Sequence, residues 1–200
     1  MADDQNYPFE RKTGATTFSI RFTNVILDTS PIRDVPYVDT YMAHNQGRIY
    51  NIKMLDGALI QMSFDFDDDV LIKYRLAFLP SPDLLEFQNY PEVYLNETLY
   101  ADVVERRVVT VPVRFDFDSH SAASLVHPAS HLTLGQYSGC RIPTVAPLTP
   151  SLFVEFLLRS FYNTASFDCV STLPSNLGPL PGCITDEERS IVHVGVPSSN

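Results

Sequence analysis

The sequence predicts an α+β fold: a mainly antiparallel sheet of about five or six strands packed against at least one helix, at about residues 149–162. Three observations carry this. Long period-two alternations run on both sides of Asp67-Asp68-Asp69. The dipeptide Asp56-Gly57 separates two alternating runs, as in a hairpin. Thr149-Pro150 opens a segment whose apolar residues return at helical spacing.

The elements follow in order. Over residues 18 to 23, Phe18, Ile20 and Phe22 alternate with Ser19, Arg21 and Thr23, a strand with one buried face. A connection through Pro31, Asp34 and Pro36 leads to Tyr50, Ile52 and Met54, which alternate with Asn51 and Lys53. Beyond Asp56-Gly57 the return strand sets Ala58, Ile60, Met62, Phe64 and Phe66 against Gln61, Ser63 and Asp65. After the aspartate turn, Val70, Ile72, Tyr74, Leu76 and Phe78 face away from Lys73 and Arg75 until Pro80-Ser81-Pro82 ends the strand. Residues 83–105 have no clear period, and Pro91 interrupts any helix there. Val109, Val111, Val113, Phe115 and Phe117 then alternate with Thr110, Arg114, Asp116 and Asp118. Pro112 lies inside this run and cannot donate to a ladder, which predicts an edge strand.

Thr149 is an N-cap residue, and Pro150 takes the first helical position, where a missing N–H costs nothing. Phe153, Phe156, Leu157 and Phe161 form the apolar face that packs across the sheet, and Glu155 precedes Arg159 by four residues on the exposed side. From Ser166 to Gly182 the chain is rich in Pro, Ser and Gly, and a last short strand is expected at Ile191 to Val196. The expected organisation is one domain over residues 1–200, with residues 163–200 partly irregular.

Composition narrows the function classes. A 44% apolar fraction with 13 Phe and 10 Tyr is enough for a substantial core. A formal charge of −10 with lysine only at 12, 53 and 73 argues against non-specific nucleic-acid binding, which depends on cations displacing counterions. Cys140, Cys169 and Cys183 form no C-x-x-C pair, so neither a disulfide framework nor a zinc knuckle is written here. The acidic start Met1-Ala2-Asp3-Asp4 lacks an apolar leader, and no run reaches the roughly 18 apolar residues of a membrane span, so a cytoplasmic protein without membrane attachment is expected.

The polar residues that invite a chemical reading are Asp116, Asp118, His120, His127 and His131. Alternation puts the first three on one side, and carboxylate with imidazole suits a divalent metal, with Asp116, Asp118, His127 and His131 as its ligands. The plain alternative leaves Asp116 and Asp118 on a solvent-facing side and uses His127 and His131 to tie down a loop. Arg114 and Arg141 could grip a phosphate or carboxylate together, or each could pair with an acid of the chain. Asp65 to Asp69 lacks the Gly and Glu of a calcium loop, having Val70 and Leu76 there. Gly135-Gln136-Tyr137-Ser138-Gly139 places its Ser one residue too late for a nucleophile elbow, and no Walker or dinucleotide-binding glycine motif occurs. Cys140 beside Arg141 is read as an inert, partly buried thiol.

The words Tyr74-Arg75-Leu76-Ala77-Phe78-Leu79-Pro80-Ser81-Pro82, Arg114-Phe115-Asp116-Phe117-Asp118, His127-Pro128-Ala129-Ser130-His131-Leu132-Thr133-Leu134-Gly135 and Cys140-Arg141-Ile142-Pro143 stand in this order, followed by the run from Phe153 to Tyr162. Over about residues 45–162 the chain resembles the bacterial domain-of-unknown-function family 2290, and the tail after Asn163 lies outside that resemblance. What the resemblance implies is a frequent setting among bacterial defence or mobile-element genes. It draws attention to Arg114, Asp116, His127, His131 and Arg141 without giving any of them a role.

The expected function is a non-catalytic binding or regulatory subunit acting with another protein, in a bacterial anti-phage defence setting, with no cofactor. The alternative is a metal-dependent hydrolase, a phosphodiesterase or nuclease, that needs a divalent metal at the Asp/His cluster. One nuclease pattern is disfavoured, because Glu10-Arg11-Lys12 has no predicted strand before it to bring an Asp alongside.

Overall fold

The computed structural model describes residues 2–23, 35–82, 111–137, 139–162, 173 and 180–197. The ambiguous stretch at 83–105, Val109 and Thr110, and most of the segment from 166 to 182 lie outside the described residues. The order is β1 (Ala2–Gln5), β2 (Phe9–Lys12), β3 (Thr17–Arg21), α1 (Tyr37–Gln46), β4 (Ile52–Met54), β5 (Leu59–Asp67), β6 (Val70–Leu79), β7 (Val113–Asp118), β8 (Ser130–Leu134), β9 (Ile142–Pro143), α2 (Pro150–Leu157), a π-helical turn (Leu158–Tyr162) and α3 (Asp186–Arg189).

All nine strands of the described residues belong to one open antiparallel sheet, so the α+β class holds. Its spine runs β4-β5-β6-β7-β8-β9, with β1 outside β4. The long strand β5 is shared end to end along one edge. Ile52 and Lys53 of β4 pair with its first half, and Thr17 to Ile20 of β3 pair with its second. β2 continues outward from β3.

The two predicted turns form as their chemistry requires. Gly57 has φ 85°, and a side-chain carbon there would press against Ser81 and the Tyr41 hydroxyl. Asp68 and Asp69 have φ 45° and 62°, both positive, as a two-residue hairpin with the right-handed strand twist demands.

Residues of even number in β5 and β6, with their partners in β7, make the apolar face. Met62, Leu76 and Phe115 form one cross-strand row, and Phe64, Tyr74 and Phe117 the next. The late helix seals this face, as predicted. Thr149 caps it by accepting the Leu152 N–H, and Phe153 and Leu157 are fully buried. Phe115 meets Phe153 and Phe156 edge to face, while Phe78 stacks on Phe161 at 5.0 Å between ring centres. A buried Phe of this kind is worth about 3–5 kcal/mol on truncation to Ala. The helix widens into a π turn over its last five residues, bringing Leu158 and Tyr162 into the buried layer. The Tyr162 hydroxyl there donates to Asp56 Oδ2 at 2.8 Å.

The opposite face is divided. Under α1, Leu59, Ala77 and Leu79 pack with Tyr41 and Tyr50. Next to that apolar end runs a polar row in cross-strand register, Ser63, Arg75, Asp116, His131 and Pro143.

Three expectations are corrected. β7 is an interior strand between β6 and β8, not an edge, because Pro112 falls just before its first residue and offers only its carbonyl, to the Gly135 N–H at 2.8 Å. A strand does precede Glu10, since β1 carries Asp3 and Asp4, but β1 pairs with β4 while β2 pairs with β3. The expected strand at 191–196 is reduced to one parallel bridge between Thr144 and Val194.

Candidate functional site

β7 is the strand that positions the site. Its even residues Arg114, Asp116 and Asp118 fall on the polar face, while Val113, Phe115 and Phe117 fill the core. Asp116 sits between two guanidiniums. Arg75 Nε donates to its Oδ1 at 2.9 Å, and Arg114 Nε lies 2.5 Å from Oδ2. The second contact is short and charge-assisted, so each oxygen of the carboxylate is engaged by a guanidinium. Burial pushes the Asp116 carboxyl up, but Arg75 and Arg114 more than offset this and hold it below the usual carboxylate range. Asp116 is therefore an ionised, internally paired acid, and the solvent-facing alternative does not apply to it: its side chain is 13% exposed.

His131 lies opposite Asp116 in β8 and is fully enclosed. Its Nδ1 is 2.9 Å from the Pro128 carbonyl, which obliges that nitrogen to carry the proton. Nε2 then carries the lone pair, 3.9 Å from Asp116 Oδ2. Burial, with help from His127 and Arg114, lowers the His131 pKa and keeps the ring neutral at pH 7. The His127 ring stands nearly perpendicular to it at 5.0 Å. Arg141 reaches the same corner, where Nη1 donates to the Val126 carbonyl at 3.4 Å. No carboxylate among the described residues pairs with Arg141.

Arg114, Asp116, His127, His131 and Arg141 thus come together. Asp118 is on the same face but is otherwise engaged: Oδ2 accepts from Lys73 Nζ at 2.7 Å and from Ser121 Oγ, while Oδ1 accepts from the N–H groups of His120 and Ser121. His120 is exposed beyond the end of the strand. Asp118 and His120 border a separate open groove of about 510 Å³ together with Arg21, Asp65 and Lys73. Among the described residues no group of three or more His, Cys, Asp or Glu is placed to hold a metal ion.

Some buried side-chain polar atoms lack a partner of full hydrogen-bond geometry. Four such side-chain atoms occur among the described residues: Thr40 Oγ1, Arg114 Nε, His127 Nδ1 and Thr133 Oγ1. Arg114 Nε is held by its short contact with Asp116 Oδ2, Thr133 is the register partner of Arg114, and His127 packs against His131. Sequence reasoning missed Thr133 and Arg75. Arg75 could have been found, because it alternates onto the same face as Lys73 in a strand adjacent to the Asp-bearing one. Thr133 could not, because the strand containing it was not predicted.

Beside this corner a tight loop closes on itself, with Ala123 N–H bonded to the His127 carbonyl and His127 N–H to the Ala123 carbonyl. Leu125 at its tip has φ 63°, a conformation that costs a side-chain-bearing residue energy. The loop is tied to α3: Ser124 Oγ bonds Glu187 Oε2 at 2.7 Å, and Leu125 N–H reaches Glu188 Oε1 at 3.4 Å. Glu188, fully buried, also completes a capping box with Thr185. The loop and the residues after α3 leave Leu125 (50%), Val126 (72%), Ile191 (46%) and Val192 (86%) exposed.

Of the cysteines, Cys140 Sγ accepts the Leu134 N–H at 3.4 Å. Cys183 is half-buried, and burial followed by Glu188 pushes its thiol up to about 11, which makes it a poor nucleophile. No helix among the described residues is long and apolar enough to cross a membrane.

An open antiparallel sheet, sealed by a capped helix on one face and carrying a paired Arg–Asp–His row on the other, defines an α+β domain with a buried polar corner. The chain belongs to the family described as "Uncharacterized conserved protein (DUF2290)", whose model matches residues 1–196. The match thus takes in the tail after Asn163, beyond the limits of the resemblance seen in the sequence words. No curated protein and no solved structure matches the chain.

Proposed function

We propose that this chain is a non-catalytic binding or regulatory subunit acting with a partner protein, in the bacterial cytoplasm and in the defence setting that the family resemblance implies. The observation that carries the reading is the exposed aliphatic corner of Leu125, Val126, Ile191 and Val192, held by hydrogen bonds between a strained loop and α3. Exposed apolar groups gathered on a braced surface favour association, because burying them gains free energy without first ordering a flexible segment. Asp186 and Glu187 are exposed beside this corner, and the chain has a net charge of −10. The partner surface that fits is apolar with a basic rim.

The metal-hydrolase alternative draws less from the same geometry. Asp116 is occupied by two guanidiniums, and Asp118 by Lys73 and Ser121. A metal would have to displace these cations before binding either carboxylate.

The test is co-purification of the full chain from its native host, scored for stoichiometry by mass spectrometry, alongside assays with an activated phosphodiester in the presence of Mg²⁺, Mn²⁺ and Zn²⁺. A reproducible stoichiometric partner with no turnover is the expected result. Metal-dependent turnover that is lost in Asp116→Asn would overturn the reading in favour of a hydrolase.

A further inference from the structure

We propose that the open groove across one end of the sheet binds a neutral polyhydroxyl ligand, a sugar of one or two rings. The groove has a volume of about 510 Å³, within the roughly 300–1,000 Å³ of small-molecule sites. Its floor is one register row. Ser19, Asp65, Lys73 and Asp118 pair in turn across β3, β5, β6 and β7, so their side chains leave the same face of the sheet. Arg21 lies two residues along β3 from Ser19, on that face. The turn between β2 and β3 contributes Thr13 and Thr17 to the lining, and the segment after β7 contributes His120.

The charges on this floor alternate in sign and sum to zero. Arg21 pairs with Asp65, and Lys73 Nζ lies 2.7 Å from Asp118 Oδ2. An anion entering the groove meets Asp65 and Asp118 as well as the two cations, and a cation meets Arg21 and Lys73, so neither finds a net counter-charge. A neutral ligand avoids both repulsions. Hydrogen-bonding capacity nevertheless remains. Asp65 accepts Ser19 Oγ and Arg21 through Oδ1, and its Oδ2 has no hydrogen-bond partner among the described residues. Lys73 commits one of its three protons, to Asp118. The side chains of Asp65 and Lys73 are 28% and 54% exposed, so this spare capacity is open to the groove. A hydroxyl both donates and accepts, so neighbouring hydroxyls of a sugar can donate to Asp65 Oδ2 and accept from Lys73 Nζ together, each bond assisted by a charge. The two ion pairs already hold the long side chains of Arg21 and Lys73, which lowers the ordering cost of binding.

The groove shares no residue with the apolar corner of Leu125, Val126, Ile191 and Val192. Binding is tested on the full chain by calorimetric titration and saturation-transfer NMR with D-glucose, D-ribose and maltose, and with gluconate and spermidine as charged probes. Titration is the readout rather than thermal unfolding, because sugars stabilise folded proteins by exclusion from their surface. Saturable binding of at least one of the neutral sugars is expected, with none of gluconate or spermidine. Lys73→Ala, at an exposed position, should weaken sugar binding about tenfold, the typical effect of losing a charge-assisted hydrogen bond. Asp65→Asn keeps the shape and removes the charge, and should weaken it as well. Val126→Asp, outside the groove, should leave it unchanged. No saturable binding of any of the three sugars, tighter binding of gluconate or spermidine, or equal sugar affinity in wild type and Lys73→Ala would overturn the proposal.

Discussion

Asp116 stands between Arg75 and Arg114 with little access to water, so neutralising it leaves the buried Arg114 charge with its nearest counter-charge gone. Removing one partner of such a pair costs about 3–5 kcal/mol, and Asp116→Asn should lower the urea midpoint accordingly. Lys73 pairs with Asp118 at the rim, where its side chain is 54% exposed, and Lys73→Ala should cost less than about 1 kcal/mol. Equal losses for the two variants would mean that the polar row is not shielded as described. His131 adds a pH dependence. Its pKa is lowered from 6.5 by burial above all, so below pH 6.5 the unfolded chain takes up a proton that the folded chain refuses. Stability is full above that pH and declines as pH falls towards the lowered folded value. Asp116, held below 3.8, acts in the same direction at lower pH, where its contribution is lost as pH falls through its folded pKa. Urea unfolding between about pH 7.5 and 5.5 checks the histidine part, and His131→Gln should flatten the slope there.

At the scale of elements, the β4–β5 turn and the π turn are joined by one buried contact, Tyr162 to Asp56. Asp56 Oδ1 accepts the Ala58 N–H at 3.0 Å and Oδ2 the Tyr162 hydroxyl, yet burial outweighs both and raises its carboxyl pKa. Burial therefore disfavours the charged form of this carboxyl. Tyr162→Phe should remove a donor from a buried acceptor and cost about 1–3 kcal/mol, whereas Asp56→Asn keeps an acceptor for Ala58 without the charge and should be near neutral or stabilising at pH 7. Equilibrium unfolding of the two variants separates these outcomes. The elements legible in the sequence were those whose apolar side chains alternate or recur: β3, β4, β5, β6, β7 and α2. β1, β2, β8 and β9 were hidden because they are short and none shows apolar alternation extending beyond two positions. β2 and β8 also carry polar side chains, Glu10 to Lys12 in one and His131 and Thr133 in the other. α1 has almost no apolar face, since it buries mainly Thr40 and Tyr41. The candidate cluster was legible as residue types in β7 and after it. Its pairing was not, because Arg75 meets Asp116 only through strand register.

For the molecule as a whole, the exposed corner and the buried core make separate claims on the same chain, and a substitution can address one without the other. Val126 and Val192 are 72% and 86% exposed, so an acidic residue at either position loses little packing. Surface changes of this kind usually stay within about 0.5 kcal/mol. Leu125 is a poorer choice, because its positive φ and its N–H bond to Glu188 tie it to α3, and a change there would mix folding with binding. An aspartate at 126 or 192 would place a charge where a partner must exclude water, and would leave it unpaired once covered. A basic rim on the partner could attract that charge during encounter but could not solvate it in the apolar centre. Val126→Asp combined with Val192→Asp should therefore unfold at the same urea concentration as the wild type, within error, and lose the stoichiometric partner on co-purification. Loss of both stability and partner would place these residues in the core instead, and retention of the partner would place the interface elsewhere on the molecule.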